Sequence, residues 1–173
     1  MVGEPLDYRG AIRLYPEYCG YTYEELEWIS HSYPDALVVA SIVHDRQNLC
    51  LAFRRGVELY RRGKCRLYGD EKFTVERGVA PYPFVDKVLG YILPIVCYEL
   101  MFPEDYIGNY IGLRLDYVVH MVGWPMVSEE QREGWVAMHK ALSIVLGCPV
   151  LCCCGGKRGR MNITGVVTKQ QEV

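Results

Sequence analysis

Eight short apolar runs, most of them rich in β-branched residues, constrain this chain more than any other feature. They are AIRLY at 11–15, ALVVASIV at 36–43, LCLAF at 49–53, VELYR at 57–61, VLGYILPIVCY at 88–98, DYVVHMV at 116–122, CPVLCCC at 148–154 and ITGVVT at 163–168. Runs of this length read as strands, and the nearly continuous ones as strands buried on both faces. Buried strands need cover, and the intervening segments supply helices for it. TYEELEWISHSY at 22–33 opens on Thr with Glu three residues later, a capping-box signature. SEEQREGWVAMHKALSIVLG at 128–147 opens on Ser, carries acids in its first turn and stops at Gly147. Its spacing predicts a buried stripe of Trp135, Met138, Leu142 and Val145. A third helix is predicted from Pro103 through PEDYIGNYIGLRL, because Pro is well tolerated in a first turn.

The stretch FRRGVELYRRGKCRLYGDEKF reads as a hairpin around Gly56 that runs into an irregular loop at Gly63 and Gly69-Asp70. With no internal repeat, low-complexity tract or linker, the alternation of strands and helices predicts one layered α/β (α+β) domain over residues 1–173.

Composition narrows the function classes. Half of the 173 residues are hydrophobic and 23% are charged, as in a globular unit with a real core. Acidic and basic residues number 21 and 19, so no global field recommends nucleic acid or an anionic membrane as partner. No apolar run reaches the roughly 18 residues of a membrane span, and MVGEPLDYRGAIRLYPEY has no basic-then-apolar leader pattern. The expectation is a cytoplasmic protein. There the eight Cys are reduced thiols, and their positions 19, 50, 65, 97, 148, 152, 153 and 154 contain no pair of C-x-x-C units suited to zinc. Three Asn and four Gln beside 14 Tyr are compatible with a thermophilic source, where cytosolic disulfides do occur.

Three residues stand where chemistry could occur. Cys97 ends the run VLGYILPIV, at the strand-to-helix elbow where open α/β sheets place ligands. A helix beginning there would ease its ionisation, and thiolate is the nucleophile. The plainer alternative is a packed core cysteine. Glu17 follows a Pro that ends regular pairing in RLYPEYCGY, so its carboxylate sits at a strand end, where partial burial would raise its pKa toward that of a general base. It could equally be a solvated loop acid. Lys64 in GKCRLYGDEKF could point inward to stabilise an oxyanion. The neighbouring Arg54, Arg55, Arg61, Arg62 and Arg66 could instead form a nucleic-acid patch, although hairpin arms usually expose such charges to solvent.

YPEYCGY, KCRLYGDEKF and VCYELMFPE, in this order, resemble the three blocks of the nitrilase superfamily of carbon–nitrogen hydrolases. DYVVHMVGWPM is similar to the strand and Trp-Pro segment after the nucleophile, and GWVAMHKALSIVLGCPVLCCCGG to the subsequent helix and strand. The resemblance implies a layered sandwich of sheets with helices outside. It implies Glu17 as general base, Lys64 as oxyanion stabiliser, Cys97 as nucleophile, the Tyr98 N–H as oxyanion donor and Glu71 as a second, positioning glutamate. Trp124 and Met101 would line the substrate pocket. The implied reaction is hydrolysis of a small non-peptide amide or nitrile through a Cys97 thioester, with no metal or organic cofactor. His120, His139 and Cys152–Cys154 then read as structural, consecutive strand residues being unable to converge on one metal.

Departures qualify this resemblance. Family domains are longer, with a strand and helix before the Pro-Glu block and more strands after the Gly-rich turn, and the shortfall suggests completion by a homo-oligomer. Met101, Lys140 and Arg66 replace residues common in the family, and Met101 argues against a carboxylate-bearing substrate. Two other classes stay open: a catalytically silent structural or assembly protein with this fold, and a nucleic-acid module using the hairpin arginines and GGKRGR at 155–160.

Overall fold

A computed structural model describes residues 5–123, 128–155 and 164–167. The elements run β1 (Leu6–Tyr8), β2 (Ile12–Glu17), α1 (Tyr23–Ser32), β3 (Leu37–His44), β4 (Gln47–Arg54), β5 (Val57–Gly63), α2 (Glu71–Thr74), β6 (Phe84–Asp86), β7 (Gly90–Val96), α3 (Ile107–Tyr110), β8 (Tyr117–Val122), α4 (Glu129–Leu146), β9 (Val150–Cys154) and β10 (Gly165–Val167). Two 3-10 segments, Cys97–Met101 and Pro103–Asp105, come between β7 and α3.

The strands form two five-stranded mixed sheets, ordered β1-β2-β3-β4-β5 and β10-β9-β8-β7-β6. β2 is parallel to β3, and β8 is parallel to both β7 and β9; the other neighbours are antiparallel. Period-two alternation sorts the apolar side chains into layers. Leu37 and Val39 of β3 and Val119 and Met121 of β8 meet between the sheets. Val38, Ala40 and Ile42 turn to Leu26 and Ile29 of α1, whereas Val118 and Val122 turn to Trp135, Leu142 and Leu146 of α4. The stack is therefore helix, sheet, sheet, helix, the α+β sandwich expected. No described helix is long and apolar enough to cross a membrane.

Local signals explain most boundaries. Thr22 and Glu25 form the reciprocal capping box that opens α1, and Gly147, at φ 71°, closes α4 in the left-handed region. Arg55 and Gly56, at φ 53° and 76°, make the two-residue turn between β4 and β5. The left-handed φ favours glycine at position 56, and a Cβ there would also have to displace the exposed His31 ring, 1.9 Å away.

Two expectations fail. The α4 stripe is Trp135, His139, Leu142, Ser143 and Leu146, with Val145 49% exposed. Its polar members are satisfied internally, His139 by His120 and Ser143 by the Cys148 carbonyl, so a purely apolar count missed them. The helix from Pro103 is also broken: Tyr106 has φ −139°, α3 covers only Ile107–Tyr110, and Gly112 sits at φ 84°. Tyr106 is pinned in the core with its hydroxyl on the Leu100 carbonyl, Asp105 is drawn to Arg66, and Gly108 and Gly112 weaken helix propagation.

Candidate active site

A bulge aims Glu17. Leu14 pairs with Val39 but Glu17 with Ser41, so β2 uses one more residue than β3 across Pro16. Strict alternation would put Glu17 on the α1 face with Tyr15; the extra residue turns it toward the space between the sheets. Glu17 is 2% exposed there.

Lys64 enters the same space from the other edge. Tyr60 and Arg62 of β5 point inward at period two, and Lys64 continues the alternation just past the strand end, its N–H held by the Asn48 carbonyl. Its Nζ donates to Glu17 Oε1 at 2.6 Å and to Glu71 Oε2 at 2.8 Å. Asn48 Nδ2 donates to Glu17 Oε1 at 2.7 Å and Glu71 Oε1 at 2.8 Å, while its Oδ1 accepts from Ser41 at 2.6 Å. Glu71 also accepts from the Tyr18 hydroxyl and the Tyr68 N–H.

Two carboxylates share one ammonium, and their surroundings separate them. Burial raises the pKa of Glu17 despite the Lys64 charge. Glu71 is more open and takes more donors; although burial opposes it, its hydrogen bonds from Lys64 and Tyr18 lower its pKa. Burial works against the Lys64 charge too, but its contacts with Glu17 and Glu71 outweigh it and raise the pKa. Lys64 therefore stays cationic, Glu71 carries the compensating charge, and Glu17 is the member poised to exchange a proton.

Cys97 occupies a backbone position at φ 44°, left-handed and strained by about 1–3 kcal/mol for a non-glycine residue. Its thiol hydrogen-bonds the Glu17 carboxylate, and the Gly123 backbone hydrogen-bonds the sulfur. A Cβ on Gly123 would come 2.8 Å from Glu17 Oε2, so glycine allows this approach. The eased ionisation expected for Cys97 does not occur. β7 leads into a short 3-10 turn rather than a helix, and burial, reinforced by Glu17, pushes the thiol well above its ordinary range. The resting form is a neutral thiol next to a base.

A second buried polar cluster lies on the α4 side of the same elbow. His120 Nε2 is 3.1 Å from the Cys97 carbonyl, His120 Nδ1 is 2.8 Å from His139 Nε2, and Cys152 Sγ is 3.7 Å from His120 Nδ1. Burial holds His120 well below the usual imidazole range and His139 at about 4, so both rings are neutral. Cys152 and Cys154 face this layer and Cys153 the opposite one, as alternation requires. The chance for metal binding that the sequence pattern hid lies across elements: His120, His139 and Cys152 bring one ligand atom each within 4.8 Å of one another. A tetrahedral ion would hold two imidazole nitrogens about 3.3 Å apart. The 2.8 Å between these two is a hydrogen bond instead.

A buried ion pair ties the two halves of the site. Arg62 donates two bonds, 2.6 and 2.7 Å, to Glu99, which also accepts from the N–H groups of Cys65 and Val96. Glu99 thus clamps the residue after Lys64 to the residue before Cys97. Of the hairpin arginines, Arg55 and Arg61 are exposed as expected, whereas Arg62 is buried and Arg54 and Arg66 are partly so; each of the five has a carboxylate within 4.0 Å, from Asp35, Glu58, Glu99, Asp86 and Asp105 respectively. Tyr98 comes directly after Cys97, its ring between Tyr68 and Phe102, beside a groove of about 520 Å³ that is also lined by Arg66, Lys72 and Arg77. Met101 is 37% exposed at the end of the 3-10 turn. Trp124 and most of GGKRGR lie outside the described residues.

Sequence reasoning missed Asn48, Ser41, Glu99 and the His120–His139 pair. The available signal was polarity inside apolar runs, since a buried Asn or His must find a partner.

No protein-family model matches the chain, and no curated protein matches it by sequence. Solved structures do match. A carbon–nitrogen hydrolase superfamily protein from Xanthomonas campestris, whose active site carries an arsenic adduct, aligns with TM-score 0.70 at 18% identity, covering 91% of this chain and 70% of the other. A cysteine-to-serine mutant of an amidase of the nitrilase superfamily from Nesterenkonia aligns with TM-score 0.73 at 18% identity, covering 91% and 70%. Glutamine-dependent NAD+ synthetase from Acinetobacter baumannii aligns with TM-score 0.65 at 16% identity, over 91% of this chain and 35% of that one.

Proposed function

Taking the nitrilase-type fold of this chain as the premise, we propose that it is a hydrolase of small non-peptide carbon–nitrogen bonds, an amide or a nitrile, that works through a thioester on Cys97. The observation that carries this reading is the contact of Glu17 with both other members: its Oε1 lies 2.6 Å from Lys64 Nζ, and its carboxylate accepts from the Cys97 thiol.

These proton states dictate the steps. Glu17 takes the thiol proton as sulfur attacks the substrate carbon, so no free thiolate accumulates in a site that disfavours it. Lys64 and the Tyr98 N–H stabilise the oxyanion that forms on an amide. Protonated Glu17 then gives its proton to the departing nitrogen, and ammonia or an amine leaves. A water, deprotonated by Glu17, hydrolyses the thioester and regenerates the thiol. Amide plus water becomes acid plus amine, and a nitrile takes up one further water. Glu71 and Asn48 hold Lys64 and Glu17 without entering the bond changes.

The test is ammonia release from a panel of aliphatic, aromatic and ω-carboxyl amides and nitriles, with hydroxylamine added to capture the acyl group as hydroxamate. Release and capture by the wild type, both absent in Cys97→Ala, are expected. No release from any member by a folded wild type would overturn the reading and leave the fold as a scaffold. We also propose a homo-oligomer, supported by the exposed Val85, Val88 and Tyr91 around the edge hairpin of β6 and β7. Light scattering of a single monomeric species would contradict it.

A further inference from the structure

We infer that His120, held by His139, is a positioning residue that aims the oxyanion donor of this site. The inference rests on the proposal that Cys97 is the nucleophile and that the Tyr98 N–H receives the oxyanion.

The peptide between Cys97 and Tyr98 couples the two sides of the elbow. A trans peptide is planar, with its C=O and N–H pointing in opposite directions. There is no cis peptide among the described residues. Whatever fixes the Cys97 carbonyl therefore fixes the direction of the Tyr98 N–H. Ladder pairing does not do this, because the β7–β8 register ends at Val96 and Met121, and Cys97 leaves the strand in the left-handed region. At the first residue of the 3-10 segment, the carbonyl also meets the His120 side chain, 3.1 Å away on the α4 side. Its N–H partner consequently points away from α4.

The tautomers are determined by what each partner can do. A carbonyl only accepts, so His120 Nε2 must carry the proton. A neutral His120 then has a bare Nδ1, which accepts from His139 Nε2 at 2.8 Å and faces the protonated Cys152 thiol at 3.7 Å. His139 is anchored on α4, and Trp135, one turn earlier, stacks on the His120 ring with centroids 5.3 Å apart and planes 13° from parallel. The ring is thus fixed in both direction and rotation. The chain α4, His139, His120, Cys97 carbonyl, Tyr98 N–H is continuous and neutral throughout.

The test compares two substitutions and one spectrum. In His120→Gln the amide Nε2 can replace the imidazole donor; His120→Leu keeps bulk but donates nothing. An oxyanion donor matters in the transition state rather than in ground-state binding. In His120→Leu, kcat on the best amide should fall about 100-fold with KM within about threefold, and His120→Gln should recover most of the loss. A role in packing alone would lower the Tm of both variants and leave kcat of the folded protein unchanged, and that result would overturn the inference. Ring-nitrogen NMR of the wild type provides an arm that needs no turnover and decides the matter if His120→Leu does not fold. Both histidines should appear as the neutral Nε2–H tautomer at neutral pH. An Nδ1–H tautomer or an imidazolium at His120, or a stoichiometric shift of both rings on adding zinc, would refute the relay even if hydrolysis is established.

Discussion

Two buried polar clusters flank the Cys97 elbow, and they solve the same problem in opposite ways. Between the sheets, Glu17, Lys64 and Glu71 are charged groups balanced against one another. On the α4 side, His120, His139 and Cys152 are titratable groups kept neutral and joined by hydrogen bonds. The first arrangement keeps a mobile proton next to the thiol, because one ammonium cannot fully compensate two carboxylates. The second keeps no mobile proton and offers direction only. Burial alone does not distinguish them, since Lys64, Glu17, His120 and His139 are all at most 2% exposed. What differs is whether the group has a counter-ion or a neutral partner.

Substitutions should separate the clusters in a definite order. Cys97→Ala has the largest effect, a loss of amide turnover of at least about 10⁴-fold with the fold retained, measured as ammonia release. Lys64→Met comes next: two carboxylates then face each other without their cation, which destabilises the fold by about 3–5 kcal/mol at pH 8. The deficit in urea unfolding should shrink as pH falls, because the folded variant takes up a proton that relieves the repulsion.

The neutral cluster should show the opposite pH response. His139 has a folded value of about 4 against an ordinary 6.5, so below pH 6.5 the unfolded chain binds the proton first. Stability is therefore complete above that value and falls by about 3 kcal/mol as pH drops to about 4. Glu17, with its raised value, works in the contrary sense over the acid range, and Glu71 loses its contribution only below the ordinary carboxylate range. Comparing urea midpoints of the wild type and His139→Gln isolates this histidine, whose removal should make the profile shallower between pH 4 and 6.5, the remaining slope in the same sense being that of His120. The smallest effect is Asn48→Ala, about 1–3 kcal/mol from the lost bonds to both carboxylates and to Ser41, again by urea unfolding.

The contrast also explains what the sequence disclosed. Glu17, Lys64 and Cys97 stand at strand ends beside turn residues, which marked each as a candidate, and the resemblance of their three blocks joined them into one site. The strands were legible locally, through alternating apolar residues and turn punctuation. Asn48 was hidden because nothing near it in the chain announces a partner; its two carboxylates lie 31 and 23 positions away. Arg62 belonged to an apparently solvated basic arm, yet its partner Glu99 is 37 positions on. His120 and His139 looked like isolated histidines because only the packing of β8 on α4 joins them. The segment after Pro103 misled for another reason. Its helical spacing was overridden by tertiary anchors at Tyr106 and Asp105, and the same override removed the helix expected to ionise Cys97.

Cys97 resting as a thiol beside a base is the central claim, and the pH profile of its alkylation tests that most directly. Iodoacetamide labelling, monitored on the Cys97 peptide by mass spectrometry, should accelerate steadily up to about pH 9 without a plateau, the thiol being harder to ionise than a free one near 8.5. A plateau at or below about pH 7 would mean a preformed thiolate paired with Lys64, and would contradict the role given to Glu17.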